Sequence, residues 1–375
     1  MNNFLKIILF KIINWQKRAV LNKKINAIYK NVLSNQNDHS KVINNLQHNN
    51  TWKKFSKRVN SRWFAAYSNI NGNTDSNYMP ESIYYLNIEP VLNKKPYYKT
   101  YSDKNFYNLF YREELFPKTV LRKINNSYYD SLYNPIDLNL NKLNGMMKGY
   151  VRTILKPSID SGGGDNVLLM NRDNGRLKDS NGNILDVEFL NKFSSDFVIQ
   201  EYIDQHEFYK RFNKSSVNTV RILTYRDVKT EEIHILQSVL RIGKPGSYVD
   251  NQAAGGIACG VDDFGVLRSF AVDKMGNKYL EQNEIEFKTV GELFKFYDMC
   301  SIAKDIARKN LYFRLLSFDF CVDAHEKVIL IEINNMNHEI NFYQMTNGPL
   351  FKNFTNEVID FCKHNPVSVS FDYSI

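Results

Sequence analysis

Short runs of β-branched and aromatic residues bounded by Gly, Asp or Asn recur from about residue 145 onward. They predict strands at Gly149–Leu155, Phe197–Ile199, Val217–Tyr225, Ile233–Ile242, Val266–Val272, Leu315–Val322 and Val328–Ile333. Between the later runs, Leu293, Phe296, Tyr297, Cys300, Ile302, Ala303, Ile306 and Ala307 recur every three to four residues, which predicts an amphipathic helix within Gly291–Tyr312. Phe351–Lys363 predicts a second, closing helix. Residues 60–140 are rich in Tyr and Asn with short apolar groups and read as a small mixed α/β or helical lobe, while the Asn-, Gln- and His-rich stretch from Asn35 to about Asn50 reads as a linker. Together these give an α+β body without internal repeats. The expected divisions are an N-terminal arm and linker (1–60), a first lobe (61–145), a small lobe (146–202) and a large lobe (203–375).

The chain starts with a different pattern. Phe4-Leu5-Lys6-Ile7-Ile8-Leu9-Phe10-Lys11-Ile12-Ile13-Asn14-Trp15 is apolar but broken by lysines and shorter than the about 20 residues that span a bilayer. No small-residue cleavage site follows, so neither a membrane-spanning helix nor a removable signal peptide is expected. Two readings stand: a helix packed on the protein's own body, or a basic amphipathic helix within residues 1–30 making peripheral contact with a membrane.

Charge sharpens this choice. The 375 residues carry a net charge of +9, yet residues 1–58 hold twelve Lys and Arg against Asp38 alone, leaving 37 basic and 39 acidic residues for the rest. A nucleic-acid groove would place its basic residues on the folded body, so nucleic acid is not an expected partner. The excess lies on the arm, where it suits anionic lipid or a phosphorylated glycan carrier. Cys259, Cys300, Cys321 and Cys362 are too far apart for a CxxC knuckle and suit a reducing compartment, so the expected location is cytoplasmic, with the inner face of the membrane as its extension.

Two segments carry candidate chemistry. After the strand at 149–155 comes Lys156-Pro157-Ser158-Ile159-Asp160-Ser161-Gly162-Gly163-Gly164-Asp165. Three successive glycines let backbone N–H groups converge on one anion, and Lys156 adds a point charge beside them. No Gly-Lys-Ser/Thr follows and no helix opens on the glycines, which excludes a P-loop and a dinucleotide fingerprint; a plain flexible hairpin remains the alternative. The second segment is Phe318-Asp319-Phe320-Cys321 and Ile331-Glu332-Ile333-Asn334, two apolar strands each bearing a carboxylate that is costly to bury uncompensated. Glu332 and Asn334 project from one strand face, and with Asp319 they offer hard oxygen ligands suited to Mg²⁺. The alternative is a pair of strand-end acids matched with Lys or Arg. Asp319-Phe320 also begins like a kinase DFG motif, but Cys321 replaces the glycine and no HRD loop precedes it.

Taken in order, Asp103-Lys104, Lys156-Pro157 with its glycine loop, Val198-Ile199-Gln200-Glu201-Tyr202-Ile203, and Asp319 with Glu332-Ile333-Asn334 resemble the ATP-grasp superfamily. Asn218-Thr219-Val220-Arg221, Val239-Leu240-Arg241-Ile242-Gly243, Val249-Asp250-Asn251 and Gly255-Gly256 are similar to its sugar-transfer-associated family, found in capsule and O-antigen biosynthesis. The resemblance spans about 100–360. It implies the ATP-grasp fold, with ATP and Mg²⁺ held between two β-rich lobes and an N-terminal helical extension. Lys104, Lys156, Ser161, Gly162, Gly163 and Gly164 would meet the phosphates. Gln200, Glu201, Tyr202 and Ile203 would lie along adenine, and Asp204 or Glu207 would reach the ribose. Asp319, Glu332 and Asn334 would hold Mg²⁺. Arg221 and Arg241 would bind a carboxylate or acyl phosphate, and Asn218, Asn251, Gly255 and Gly256 would shape the acceptor pocket.

The implied reaction is a carboxylate–amine ligation that forms an amide through an acyl phosphate, on a glycan or uronic acid. One departure bears on it. Many amide-forming relatives carry an arginine just before the first metal aspartate, where this chain has Leu315-Leu316-Ser317-Phe318, with Arg314 five residues upstream of Asp319. Either another arginine serves, or the phosphoryl acceptor is not a carboxylate and the protein is a sugar phosphotransferase. A nucleotide-sensing scaffold of a membrane polysaccharide assembly is the non-enzymatic alternative. His338, near the expected site mouth, reads either as an acid–base group or as a satisfied loop histidine.

Overall fold

The computed structural model describes residues 3–35, 49–57, 59–159, 166–247, 250 and 255–366. The expected linker lies almost wholly outside the described residues. Two seven-stranded antiparallel sheets organise the chain. The small sheet holds β1 (Thr119–Ile124), β2 (Ser127–Tyr129), β3 (Pro135–Ile136), β4 (Arg152–Pro157), β5 (Leu168–Asp173), β6 (Arg176–Lys178) and β7 (Phe197–Glu201), in the order β3-β2-β1-β7-β4-β5-β6. The large sheet takes β8 (Thr219–Arg226), β9 (Ile233–Ile242), β10 (Ile257–Val261), β11 (Leu267–Val272) and β12 (Lys278–Tyr279). A two-stranded ribbon follows, β13 (Glu281–Gln282) with β14 (Ile285–Glu286). The large sheet is then completed by β15 (Leu315–Val322) and β16 (Val328–Asn334), in the order β12-β11-β10-β9-β8-β15-β16.

Continuous burial along β8 and β15 shows that the large sheet is covered on both faces. Leu223, Tyr225, Leu236, Val239 and Leu315 pack with the N-terminal helices and with Ile340–Thr346 and Thr355–His364. Val220, Ile222, Leu240, Phe318 and Phe320 face the opposite way, onto the helix Phe296–Lys309. That helix buries Phe296, Met299, Ala303, Ile306 and Ala307, the stripe its periodicity predicts.

The division at 61–145 is corrected by pairing. β1 lies beside β7, with Leu121 opposite Ile199 and Arg122 opposite Val198, so residues 119–145 belong to the small sheet. Trp63, Phe64, Tyr67, Tyr84 and Ile88 enter the core of the large sheet instead. Residues 60–140 therefore form no lobe of their own; their apolar groups are too dispersed to bury one another and are shared between the two sheets.

The second half of the N-terminal helix (Asn3–Ser34) packs on the body, as the first of the two readings expects. Leu21, Ile25, Ile28 and Val32 are buried against the body, Arg18 donates to Ser56 Oγ at 2.6 Å, and Asn31 Nδ2 donates to Asn277 Oδ1 at 2.8 Å. Its first half leaves its apolar residues exposed. Among the described residues no helix is long and apolar enough to cross a membrane.

Glu89 is buried beneath this helix and accepts the His338 backbone N–H at 3.1 Å. Burial raises its carboxyl to about 7, against the opposing pull of that N–H and of Lys17. A carboxyl raised above its unfolded value of 4.5 contributes stability that is complete below that value and lost as pH climbs through about 7. The loss should amount to about 3 kcal/mol. Glu89→Gln keeps the acceptor and removes the titration, so urea unfolding of wild type and variant should converge near pH 5 and diverge by pH 8, with the variant the more stable. Parallel profiles would remove Glu89 as the cause.

Candidate functional site

The chemistry-bearing residues of both sheets converge because of strand register. In the large sheet Asp319 sits opposite Arg221 of β8 on one side and opposite Glu332 of β16 on the other. Thr219 pairs with Arg241 of β9. A bulge follows immediately: Asp319 pairs with Glu332 but Phe320 pairs with Leu330, leaving Ile331 as the extra residue. The bulge lets neighbouring Ile331 and Glu332 both reach one cavity of about 670 Å³. Ile154, Lys156, Leu169 and Gln200 of the small sheet line its other wall.

Electrostatic pairing defines the centre of this cavity. Arg221 grips Asp319 with two parallel bonds of 2.6 Å, Nε to Oδ1 and Nη2 to Oδ2, and Arg241 Nη1 adds a third at 3.1 Å. Burial alone would raise the Asp319 carboxyl, but the two guanidinium groups outweigh it and hold it below the usual range. Lys104 Nζ donates to Glu332 Oε1 at 2.6 Å, and this lysine likewise overcomes burial to keep Glu332 ionised. Lys156 differs. It is buried, no carboxylate among the described residues lies within ion-pair distance, and desolvation together with the like charge of Lys104 lowers its ammonium to about 7. Bringing an anion into the cavity would relieve that penalty.

Arg221, Arg241, Lys104, Lys156, Gln200, Glu201, Tyr202, Ile203, Asp319, Glu332 and Asn334 all line this one cavity. Glu201 is fixed by accepting the Lys118 N–H at 2.9 Å, and the Arg152 guanidinium stacks 3.9 Å over the Tyr202 ring. Ile154, Val167, Leu169, Ile203 and Ile331 give the hinge end an apolar lining suited to a flat heterocycle.

Other expected residues are not brought there. Asp204 and Glu207 are exposed and engaged with Lys210, and Asp204 also with Arg152 at 3.3 Å. Asn218 is buried, its Nδ2 donating to Gln205 Oε1 and to the carbonyls of Tyr209 and Asn213, which makes it a strut of the hinge. Strand alternation explains the misplacement: Thr219 and Arg221 face the cavity, so Asn218 turns away. Gly255, at φ +92°, and Gly256 form the turn into β10 and do not line the cavity. Ser161, Gly162, Gly163, Gly164 and Asn251 lie outside the described residues. His338 is buried, bonded through Nδ1 to Ser317 Oγ at 2.7 Å, and lowered to about 3 by burial and by Arg221, so it stays neutral as a structural group.

Asp250, which receives Thr219 Oγ1 and lies 3.4 Å from Arg241, lines the cavity unforeseen. So do Tyr85, Glu81 and Lys24, which arrive from the N-terminal region with no local signal; the Lys24–Glu81 pair measures 2.8 Å. The Val249-Asp250-Asn251 motif was the pointer to Asp250 in the sequence. Arg314 is removed from the cavity, bonded to Glu231 at 2.6 Å and to the Asp227 carbonyl at 3.1 Å.

The donor set suits a divalent cation. Glu332 and Asn334 share the cavity wall; Asn334 Oδ1 is a possible ligand, while its buried Nδ2, without a partner among the described residues, is a donor that suits an anionic oxygen and not the cation. Asp319 has its second oxygen doubly occupied, leaving Oδ1 one further lone pair. Mg²⁺ takes one or two carboxylates and completes its shell with phosphate oxygens and water, a demand that Glu332 and Asp319 could meet.

The model of one family, sugar-transfer associated ATP-grasp, matches residues 86–359. No curated protein matches the chain. Among solved structures, D-alanyl-alanine synthetase A from Vibrio cholerae is 11% identical, with 71% of this chain and 65% of that one covered and a TM-score of 0.40. Biotin carboxylase from Campylobacter jejuni, in its β-γ-ATP complex, is 12% identical over 70% and 46%, with a TM-score of 0.38. N5-carboxyaminoimidazole synthetase from Staphylococcus aureus is 10% identical over 68% and 50%, with a TM-score of 0.35. The chain spans less than two thirds of the length of each.

Proposed function

The chain belongs to the sugar-transfer associated ATP-grasp family and has the ATP-grasp fold, and from that premise we propose that it is an ATP-dependent carboxylate–amine ligase. Its acceptor is a glycan or uronic acid of bacterial surface polysaccharide, modified on the cytoplasmic side where ATP is supplied. One observation carries this reading: Lys104 and Lys156 share a single cavity with Asp319, Glu332 and Asn334, two buried guanidinium groups, and an apolar hinge end.

Lys156 and Lys104 neutralise the charge of the transferring phosphoryl group, so positioning and electrostatics provide the acceleration. Mg²⁺, held by Glu332, Asn334 and the remaining lone pair of Asp319, would supply further charge neutralisation on the phosphates. A substrate carboxylate oxygen attacks the γ-phosphorus, the bond to the β-phosphate oxygen breaks, and ADP leaves. The amine nitrogen then attacks the acyl carbon of the acyl phosphate, expelling phosphate and forming the amide. Arg221 and Arg241, oriented by Asp319, direct their other N–H groups at the carboxylate and the acyl phosphate. The two arginines come from β8 and β9, so they answer the lack of one just before Asp319 and favour a carboxylate acceptor.

The test is to incubate the protein with ATP, Mg²⁺, amino acids and nucleotide-linked uronic acids, and to read products by mass spectrometry. ADP with an amide product, and a hydroxamate when hydroxylamine replaces the amine, is the expected result. A stable phosphosugar with no hydroxamate would assign phosphotransfer instead, and nucleotide binding with no turnover across the panel would favour a scaffold.

A further inference from the structure

The N-terminal helix has two apolar faces, and the body uses only one. Leu21, Ile25, Ile28 and Val32 are buried in the core with Trp52, Trp63 and Ile70. Leu5, Ile8, Leu9, Ile12 and Ile13 recur at the same helical spacing on the opposite face, and with Ile7, Trp15 and Val20 they are exposed. Nothing among the described residues covers them. An apolar face this extensive is rare on a surface that stays in water. Its charge narrows the occupant: between Asn3 and Ser34 there are seven Lys and Arg and no Asp or Glu, and Lys11 and Lys23 are exposed. Two copies pairing through this face would set like charges side by side, whereas an anionic lipid surface accepts both the apolar side chains and the lysines.

We infer that the outward face of residues 5–20 docks the protein on an anionic lipid bilayer, with the helix lying in the headgroup–acyl boundary. Its apolar stretch is too short and too broken by lysines to span the bilayer. Leu21 and Lys24, immediately beyond the docking face, line the cavity together with Tyr85 and Glu81. Docking therefore sets this end of the cavity beside the headgroup layer, where a lipid-linked acceptor presents its polar part. The docking itself does not depend on the ligase reading, and its test uses no turnover.

Trp15 is 71% exposed while Trp52 and Trp63 are fully buried, so any vesicle-induced change in tryptophan emission reports Trp15. With the full chain, vesicles of phosphatidylcholine plus phosphatidylglycerol should float the protein and shift its emission to the blue, both effects weakening with salt, while phosphatidylcholine alone should do neither. Leu9→Asp with Ile13→Asp should abolish flotation with an unchanged unfolding temperature. Lys11→Gln and Lys23→Gln should weaken it about fivefold each. Absence of flotation on anionic vesicles would overturn the proposal. So would a dimer, seen by light scattering without lipid, whose Trp15 emission is already blue-shifted and which Leu9→Asp with Ile13→Asp dissociates.

Discussion

Asp319→Ala should cost about 3–5 kcal/mol of stability and eliminate MgATP turnover, whereas Glu332→Gln should eliminate turnover and leave the fold near wild type. Asp319 accepts three hydrogen bonds from two buried guanidinium groups, and truncating it strands both charges in a cavity wall. Asp250, 3.4 Å from Arg241, and Glu339, 3.8 Å from Arg221, keep looser ion pairs but do not reproduce the two-pronged 2.6 Å grip. Against a total stability of about 5–15 kcal/mol, the midpoint of urea unfolding should fall visibly. Glu332→Gln retains an oxygen for the buried Lys104 ammonium but loses the negative charge that a divalent cation requires, so its ADP release should drop to background while its midpoint falls less than that of Asp319→Ala. ADP release at the wild-type rate from Glu332→Gln would withdraw the metal assignment. An unchanged midpoint for Asp319→Ala would show that the arginines find water instead.

Affinity for MgADP should fall as pH rises above about 7, by about tenfold per pH unit while one proton is taken up on binding. The cause is Lys156, whose ammonium is lowered to about 7 by burial and by Lys104 and is re-protonated when a polyphosphate approaches. In the nucleotide-free protein the same group works in the opposite sense. Its folded value lies below the unfolded value of 10.5, so the unfolded chain binds more protons between the two, and folding becomes more favourable as pH rises through that window. Calorimetry in buffers of different ionisation enthalpy counts the proton directly. Lys156→Met should weaken binding by about 2 kcal/mol below pH 7 and flatten the profile. A flat wild-type profile would place the nucleotide phosphates away from this lysine.

Much of the architecture was legible as hydrophobic spacing. The strands Ile233–Ile242 and Leu315–Val322 have the bounds their apolar runs predict, and Phe296–Lys309 buries the expected stripe. Continuous apolar runs such as Val328–Leu330 announce burial on both faces. The small-sheet strands Thr119–Ile124 and Ser127–Tyr129 were not legible: Arg122 and Lys123 bury only once β7 lies alongside, and the three-residue β2 stays exposed to half-buried between β1 and β3. Asn218 departs from its expected place for a different reason: its parity along the strand opposes that of Arg221, so its side chain turns away from the cavity.

The sequence by itself determined the longest strands of the large sheet, that two carboxylates sit among apolar neighbours with Lys156 beside a glycine run, and that one end of the chain is basic. All of these are local, since period and composition act over a few residues. Tertiary structure alone decided that Arg221 and Arg241 clasp Asp319, that a bulge at Ile331 admits Glu332 to the same cavity, and that the N-terminal helix supplies Leu21 and Lys24 to its wall. Strand order and cross-strand register join residues about a hundred positions apart, and no short-range pattern records which charge will stand opposite which.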